Sequence, residues 1–399
     1  MRKVKLSKRA EDMPYSPIRK LAPFADDAKE RGVQVFHLNI GQPDIETPKE
    51  IFEAITQYHE KVLRYGPSGG LLDLRVAVVE YHRNAGFAVD LDTVWITTGG
   101  SEAIIFAMMA VTDPGDEIIV FEPFYTNYNG FAVMSQAKLV PITTKVEDGF
   151  HLPPKSAIEE KINSRTRAIL INTPNNPTGT VLTEEEMFII QTLCKKHGLF
   201  LLSDEVYREF VYDGKAQVSA LSLPEIEEQV IVIDSISKRF SACGARVGTI
   251  ISRSKKTMDR LLKFGQARLC PPTLEQVGAV AAYKNVAKYI RPMIAEYETR
   301  RNVLFEGIAS MPGVLGHKPE GAFYTVLRLP VSSADAFCQW LLTDFQYDNK
   351  TVMLAPANGF YSTPGKGENE VRIAYVLKEA ELRSALEALK KALQEYKGA

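Results

Sequence analysis

The feature that most constrains this chain is an alternation of short β-type runs with helix-type stretches through its middle. The runs are rich in β-branched and other apolar residues and lie at 94–98, 117–121, 167–172, 199–203 and 230–234. Such alternation predicts βαβ units and a mostly parallel sheet covered by helices. Because ligands of these sheets bind where the strands release the chain into loops, functional residues are expected directly after the runs.

One helix has both of its ends marked in the sequence. Thr183 followed three residues later by Glu186 fits a capping box, which predicts that the helix begins here. Gly198, after His197, can adopt the left-handed conformation that ends many helices.

The length of 399 residues exceeds the size at which one hydrophobic core usually stops growing, so two domains are expected. After about residue 290 the pattern changes, and helical stretches flank short strands at 322–329 and 370–375. We therefore predict a large α/β domain over 48–289. Residues 1–47 and 290–399 are expected to form a smaller α+β domain with an N-terminal arm.

Charge and composition exclude several classes of function. The 48 Lys and Arg nearly balance the 49 Asp and Glu, which gives no long-range attraction to nucleic acid or membrane. The four cysteines are far apart and the six histidines scattered, which argues against a disulfide scaffold and a metal site. No apolar run approaches the roughly 20 residues of a membrane span, and no secretion signal is recognisable. A cytoplasmic protein is expected.

The segment Gly66–Gly70 matches G-x-S-x-G, the nucleophile motif of α/β-hydrolases, with Ser68 as the nucleophile. Asp204 and His317 could follow it in the hydrolase order. That motif, however, needs several preceding strands, and Pro67 would remove an N–H from the strand end. A turn before a helix is the favoured interpretation, and a hydrolase using Ser68 stays as a remote alternative.

Polar segments follow three consecutive β-type runs. They are TPNNPTG at 173–179, SDEVY at 203–207 and SISK at 235–238, the last followed by Arg246. Taken singly, they are an ordinary turn, a helix cap and a surface charge. Their occurrence together, each after its own strand, indicates one common site.

With these motifs the chain resembles the pyridoxal-phosphate-dependent aminotransferases of fold type I, class I/II, which are aspartate aminotransferase-like. The resemblance extends from LNIGQPD at 38–44 to VRIA at 371–374. It implies a large domain with a mostly parallel seven-stranded sheet sandwiched by helices, and a smaller α+β domain. It also implies the cofactor pyridoxal 5'-phosphate. The reaction would be ping-pong amine transfer between an L-amino acid, aspartate or aromatic, and a 2-oxo acid such as 2-oxoglutarate.

The matched motifs assign roles around the cofactor ring. Lys238 matches the residue that binds the cofactor aldehyde covalently and then moves the substrate proton. Asp204 matches the carboxylate that keeps the pyridine nitrogen protonated. Tyr207 and Asn176 match the groups that contact the ring oxygen, and Tyr125 matches the aromatic that stacks on the ring.

The cofactor phosphate needs N–H donors and cations. Gly100 and Ser101 lie where a strand passes into a helix, and free N–H groups at such a junction favour an anion. Ser235, Ser237 and Arg246 match the remaining phosphate ligands.

The resemblance also assigns the substrate site. Arg372 matches the arginine that binds the α-carboxylate, with Gly41 and Asn176 beside it. Tyr65 matches a tyrosine that completes the phosphate site of the neighbouring subunit, which implies a homodimer.

The preferred side chain of the substrate is left open. Ser101 stands where some relatives carry a lysine for acidic side chains, and Arg268 is a hypothetical substitute for it. Tyr15, Phe24 and Tyr324 would instead favour aromatic substrates. A lyase or decarboxylase with the same cofactor residues also stays open. A regulatory protein on this scaffold would be expected to carry a DNA-binding domain, and no basic helix-turn-helix precedes the matched region.

Overall fold

A computed structural model describes residues 4–398, so residues 1–3 and 399 of the predicted small domain lie outside the described residues. Across this span, no helix has an apolar stretch long enough to cross a membrane. The helices are α1 (Lys8–Asp12), α2 (Ala22–Glu30), α3 (Lys49–Thr56), α4 (Leu72–Asn84), α5 (Gly99–Val111), α6 (Asn127–Ser135), α7 (Lys155–Glu159), α8 (Glu184–His197), α9 (Ile236–Arg239), α10 (Lys255–Arg268), α11 (Thr273–Tyr283), α12 (Val286–Ile308), α13 (Ala334–Thr343) and α14 (Glu379–Glu395). The strands are β1 (Gln34–His37), β2 (Val94–Thr97), β3 (Glu117–Glu122), β4 (Lys138–Thr143), β5 (Thr166–Asn172), β6 (Phe200–Asp204), β7 (Val230–Ser235), β8 (Gly248–Ile251), β9 (Tyr324–Arg328), β10 (Lys350–Met353), β11 (Ala355–Pro356) and β12 (Glu370–Ala374).

Seven strands form the central sheet, in the order β2-β8-β7-β6-β5-β3-β4. The pairs from β7 through β6, β5 and β3 to β4 are parallel, and β8 runs antiparallel to both of its neighbours. The prediction of a mostly parallel seven-stranded sheet is confirmed. The carboxyl ends of β5, β6 and β7 therefore lie side by side at one edge.

Alternate residues of these strands pack against helices on opposite faces of the sheet. On one face Ile169 and Leu201 are buried with side chains from α4, α8 and α11. On the other face their neighbours Leu170 and Leu202 are buried with side chains from α5, α6 and α10. Burial on both faces explains why the strands are continuous apolar runs rather than alternating patterns.

Two smaller sheets accompany the central one, the parallel pair β1-β10 and the antiparallel sheet β11-β12-β9. A separate core packs β1, β9, β10 and β12 against α2, α12, α13 and α14. Tyr207, Phe210 and Tyr212, which follow β6, are buried in the same core. The segment after β6 therefore joins the central sheet to the smaller sheets.

The predicted capping box at the start of α8 is confirmed. The Thr183 hydroxyl accepts the Glu186 N–H at 3.2 Å, and the Glu186 carboxylate accepts the Thr183 N–H at 2.7 Å. Gly198 ends the helix with φ of +64°, in the left-handed conformation expected of it.

Some boundaries differ from the sequence prediction. Strand β9 begins at Tyr324 rather than Ala322, because Ala322 has φ of +54° and cannot be part of an extended strand. Helix α12 begins at Val286, whereas the sequence pattern predicts a helical stretch from Ile290 to Ala309, and the helix continues through Pro292. Asp204 is the last residue of β6 and does not cap a helix, since turns follow it.

The segment containing Ser68 is a turn that leads into α4, and no strand lies between α3 and α4. The nucleophile motif of a hydrolase requires a strand directly before the serine. The structure therefore does not support the hydrolase alternative.

Candidate active site

A cavity of about 530 Å³ opens at the carboxyl ends of β5, β6 and β7. Its lining includes every residue predicted to bind the cofactor or the substrate α-carboxylate except Tyr65. They are Gly41, Gly100, Ser101, Tyr125, Asn176, Asp204, Tyr207, Ser235, Ser237, Lys238, Arg246 and Arg372.

Lys238 lies on the one-turn helix α9, directly after β7. Ser235 caps this helix by accepting the Ser237 N–H at 3.1 Å, which fixes the direction of the turn. The Lys238 amine donates to the Gly41 carbonyl at 2.9 Å and lies 3.6 Å from the sulfur of Cys243. The Lys238 side chain thus lines the cavity, and the contacts of its amine are non-covalent, so the nitrogen is available for reaction.

Asp204 is 3% exposed at the end of β6. Its Oδ2 accepts a hydrogen bond from the Tyr128 hydroxyl at 2.7 Å. Burial raises the pKa of Asp204 to about 6, with the hydrogen bond from Tyr128 acting in the opposite direction. No cation of the described chain forms an ion pair with Asp204. A buried carboxylate without a cationic partner can stabilise a positively charged group placed in the cavity.

The Tyr207 hydroxyl lies 2.9 Å from the Tyr324 hydroxyl, which in turn donates to the Gly41 carbonyl at 3.2 Å. Because Tyr324 uses its proton on Gly41, the proton between the two tyrosines comes from Tyr207. Burial raises the pKa of Tyr207 well above its usual value, so the phenol stays protonated. A Cβ at Gly41 would lie 1.8 Å from the Tyr324 oxygen, so only glycine fits here.

Gly100 and Ser101 lie in the first turn of α5, whose N–H groups have no partner within the helix. Arg246 lies close to this turn, since a Cβ at Gly99 would be 2.4 Å from its Nη2. The hydroxyls of Ser235 and Ser237, 2.8 Å apart, line the same part of the cavity. Free N–H groups, a guanidinium and hydroxyls together suit a phosphate.

Arg372 lies on β12 and is 2% exposed. Its guanidinium donates to the Asn176 side-chain oxygen at 3.1 Å and to the Asn39 carbonyl. Its buried Nε has no partner within the described chain. Burial lowers the pKa of Arg372, since its charge has no carboxylate beside it. This guanidinium can donate hydrogen bonds to the carboxylate of a ligand in the cavity.

Tyr125 lines the cavity with its ring edge-on to Tyr128, at 5.5 Å between centroids. Its hydroxyl accepts a hydrogen bond from the Asn127 amide at 2.8 Å. Burial raises the pKa of Tyr125 to about 12, so the phenol is neutral.

Sequence reasoning missed several residues of this site. Tyr128, Cys243 and Arg19 belong to none of the recognised motifs, yet the first contacts Asp204 and the other two line the cavity. Arg19 precedes α2, and its guanidinium has no hydrogen bond or ion pair within residues 4–398, whereas neighbouring Lys20 pairs with Asp335. Tyr128 and Arg19 are brought to the site by long chain separations, which no local pattern reveals. Cys243 lies only five residues after Lys238, but it is not part of a recognised motif.

Two predicted residues lie elsewhere. Tyr65 is 82% exposed and does not line the cavity of its own chain. Arg268 does not line it either, since its guanidinium donates to Glu102 at 3.1 Å and to the Ile96 carbonyl at 3.3 Å. Arg268 thus already has an ion-pair partner in its own chain. Of the cationic side chains that line the cavity, Arg19 is the one whose charged group has no hydrogen bond or ion pair within residues 4–398.

Residues 33–389 match the family described as aminotransferase class I and II. The chain is 32% identical to aromatic-amino-acid aminotransferase 2 of Thermococcus litoralis, over 98% of this chain and 99% of that protein. It is 31% identical to aspartate aminotransferase of Pyrococcus horikoshii, over 98% of both chains. Among solved structures, aspartate aminotransferase from Thermus thermophilus with maleate aligns with a TM-score of 0.88. That alignment has 27% identity and covers 98% of this chain and 100% of that one.

Proposed function

Because the chain belongs to the class I and II aminotransferases, which are pyridoxal-phosphate-dependent enzymes of fold type I, we propose that the cavity described above is where it transfers amino groups. The observation that carries this proposal is that the Lys238 amine and the buried Asp204 carboxylate, on adjacent strand exits, face one cavity. The substrates are an L-amino acid and a 2-oxo acid, and two half-reactions predict ping-pong kinetics.

The residues of the cavity fit pyridoxal phosphate on physical grounds. The pKa of Asp204 is raised because a buried carboxylate lacks a cationic partner, and a protonated pyridine nitrogen would be that partner. Arg246 and the start of α5 would hold the phosphate. When bound, this cofactor supplies a ring that accepts the electrons released at the substrate α-carbon.

Lys238 would hold the cofactor through its aldehyde, and we propose that its free amine moves the proton at the substrate α-carbon. Gly41 supports this second role, because its carbonyl accepts a hydrogen bond from the free amine at 2.9 Å. The flexible stem of Lys238 allows the nitrogen to reach both positions.

Tyr207 and Asn176 are proposed to bind the ring oxygen of the cofactor, and Tyr125 to pack against its ring. The protonated Tyr207 can donate to that oxygen once it gives up Tyr324. Asn176 is held by its own N–H, which donates to the Asn172 side chain at 2.7 Å.

Arg372 is proposed to bind the substrate α-carboxylate. Its unpartnered Nε supports this role, because a carboxylate can accept from Nε and Nη together. Such bidentate contact fixes the orientation of the α-carbon relative to Lys238, which is the main requirement for efficient proton transfer.

Charge in the cavity also bears on the substrate side chain. Four cations, Lys238, Arg246, Arg372 and Arg19, face one carboxylate, Asp204. With Lys238 and Arg246 assigned to the cofactor and Arg372 to the α-carboxylate, Arg19 has no assigned anion. We propose that Arg19, and not Arg268, binds a second carboxylate, and that dicarboxylic substrates are accepted. Acceptance of dicarboxylic substrates is supported by the structural relative from Thermus thermophilus, which was solved with maleate, a dicarboxylate. The choice of Arg19 is supported by the lack of a partner for its guanidinium within residues 4–398.

Tyr65 is proposed to act in the site of a second copy, which makes the enzyme a homodimer. Its neighbours Val62 and Leu63 are 58% and 60% exposed, and Leu269 is 51% exposed. Exposed apolar side chains grouped in this way are typical of a surface covered by a partner.

Two other predictions stay proposals. The division into a domain over 48–289 and a second one over 1–47 and 290–399 is supported by the separate core around α12 and α14. A cytoplasmic location is supported by the four cysteines, all of which are free.

Two experiments test the proposed function. Borohydride treatment of the enzyme purified with its cofactor should add the cofactor mass to the peptide containing Lys238, and an unmodified peptide would contradict the assignment. A panel of amino donors with 2-oxoglutarate or pyruvate should then show amine transfer. Release of ammonia or carbon dioxide in its place would indicate a lyase or decarboxylase.

A further inference from the structure

The thiol of Cys243 is in contact with the Lys238 amine, and both residues line the cavity. The Cys243 sulfur lies 3.6 Å from the Lys238 nitrogen, and the thiol donates to the Ser237 carbonyl at 3.1 Å. Cys243 is half-buried and lines the cavity, so a small solute that enters the cavity can reach its sulfur. An amine and a sulfur are therefore held in contact inside an open site.

The other three cysteines lack this combination. Cys194 and Cys338 are buried, and burial raises the pKa of Cys194 to about 12 and that of Cys338 further still. Cys270 is half-buried like Cys243, but it lies outside the cavity. Across residues 4–398 no amine contacts the Cys270 sulfur, which makes it a matched comparison.

We propose that Cys243 is a site of oxidative modification, at which hydrogen peroxide links its sulfur covalently to the nitrogen of Lys238. Peroxide first oxidises the thiol to a sulfenic acid, with one oxygen transferred to sulfur and one water released. The lone pair of the Lys238 nitrogen then attacks that sulfur, the S–O bond breaks, and the hydroxide leaves as water with a proton from the nitrogen. The S–N bond forms without further oxidation, so one peroxide is consumed for each link.

The link would consume the amine that the reaction needs, so the modified enzyme would be inactive. A thiol reductant can attack the sulfur and release both side chains. Resting on the proposed function, the inference also predicts protection, because an amine already joined to pyridoxal phosphate cannot attack sulfur. Of the two cofactor-loaded forms, only the one loaded with pyridoxamine phosphate leaves the Lys238 amine free and is expected to react.

The experiment compares the protein loaded with pyridoxal phosphate and the same protein loaded with pyridoxamine phosphate. Each is treated with limiting hydrogen peroxide, digested with trypsin and analysed by mass spectrometry. Trypsin does not cleave after a modified lysine, so in the pyridoxamine form the peptide that contains Lys238 and ends at Arg239 should be joined to peptide 240–246, which contains Cys243. The joined species should lie about 2 Da below the sum of the two peptide masses. Activity should fall about tenfold or more with the appearance of this species and return with dithiothreitol.

Variants and controls give each outcome a definite meaning. Cys270→Ser should form the link as the unsubstituted protein does, whereas Cys243→Ser and Cys243→Ala should not form it. Absence of the linked peptide in the pyridoxamine form, or equal linkage in the pyridoxal form, would overturn the inference. A parallel borohydride reaction tests the cofactor attachment separately. If Lys238 carries the borohydride tag and no link forms, the proposed function stands and only this inference fails.

Discussion

Substitution of Asp204 by asparagine should make the cofactor-free protein more stable, and it should abolish the activity of the protein loaded with pyridoxal phosphate. Asp204 lies 3% exposed at the end of β6, without a cationic partner. Burial raises its pKa from 3.8 to about 6, which corresponds to a cost of about 3 kcal/mol for the ionised folded state. Asparagine has the same shape and can still accept the hydrogen bond from Tyr128, but it carries no charge.

The stability that the asparagine variant gains over the unsubstituted protein should increase as the pH rises. Below about pH 4 the carboxyl is protonated in both states, so the two proteins should have the same free energy of unfolding with respect to this group. As the pH rises towards 6, ionisation in the unfolded state destabilises the protein carrying Asp204. Above about pH 7 the asparagine variant should be the more stable by up to about 3 kcal/mol. Urea unfolding of the cofactor-free proteins between pH 4.5 and 8 measures this difference.

The neighbouring strand supplies a control. Asp234 is also buried, but its carboxylate accepts from the Arg239 guanidinium at 2.6 Å. Asp234→Asn leaves a buried arginine with one ion-pair partner fewer and should destabilise the protein by about 3 kcal/mol. Equal destabilisation by both substitutions, or a gain for Asp204→Asn that does not change with pH, would refute the reasoning. Addition of pyridoxal phosphate should reverse the order, since its protonated ring stabilises only the carboxylate.

Further predictions concern substrate binding and assembly. Arg372→Lys should lower kcat/KM about tenfold to a hundredfold for every amino donor, because an ammonium cannot replace the bidentate contact; an unchanged kcat/KM would contradict its role. Arg19→Gln should lower kcat/KM about tenfold or more for aspartate and 2-oxoglutarate but not for aromatic donors, with Lys20→Gln as the control of equal charge; a uniform loss would exclude Arg19 as a side-chain reader. Inactive Lys238→Ala and impaired Tyr65→Ala proteins, mixed so that their subunits exchange, should regain activity, because one hybrid site then holds both native residues; no recovery would place Tyr65 outside the neighbouring site.

Structural features that arise from contacts between neighbouring residues could be predicted from the sequence. The capping box of Thr183 and Glu186 involves residues three apart and depends on no tertiary contact. The continuous apolar strands predicted their own burial, and their order predicted that the segments after β5, β6 and β7 would be neighbours. Ala322 shows the limit, since its positive φ follows from tertiary packing and shortened the predicted strand.

Contacts between distant parts of the chain could not be read from the sequence. Tyr128 lies 76 residues before Asp204, and no motif links the two. The sequence analysis considered Arg268 as the cation for a second substrate carboxylate. In the structure its guanidinium instead donates to Glu102, which is 166 residues away in the sequence. Arg19 belongs to none of the recognised motifs, and only the fold shows that it lines the cavity.

The class of fold and the chemical groups of the site could be predicted from the order of residues alone. The reason is that apolar runs, turn residues and the motifs after each strand all involve residues that are neighbours in the chain. Which buried charged side chains lack an ion-pair partner depends on the folded structure. Asp204 and Asp234 are both acidic residues at the ends of buried strands, but only the second has an arginine within reach. A carboxylate without a partner is available to a ligand, and that availability depends on distances that only the folded chain sets.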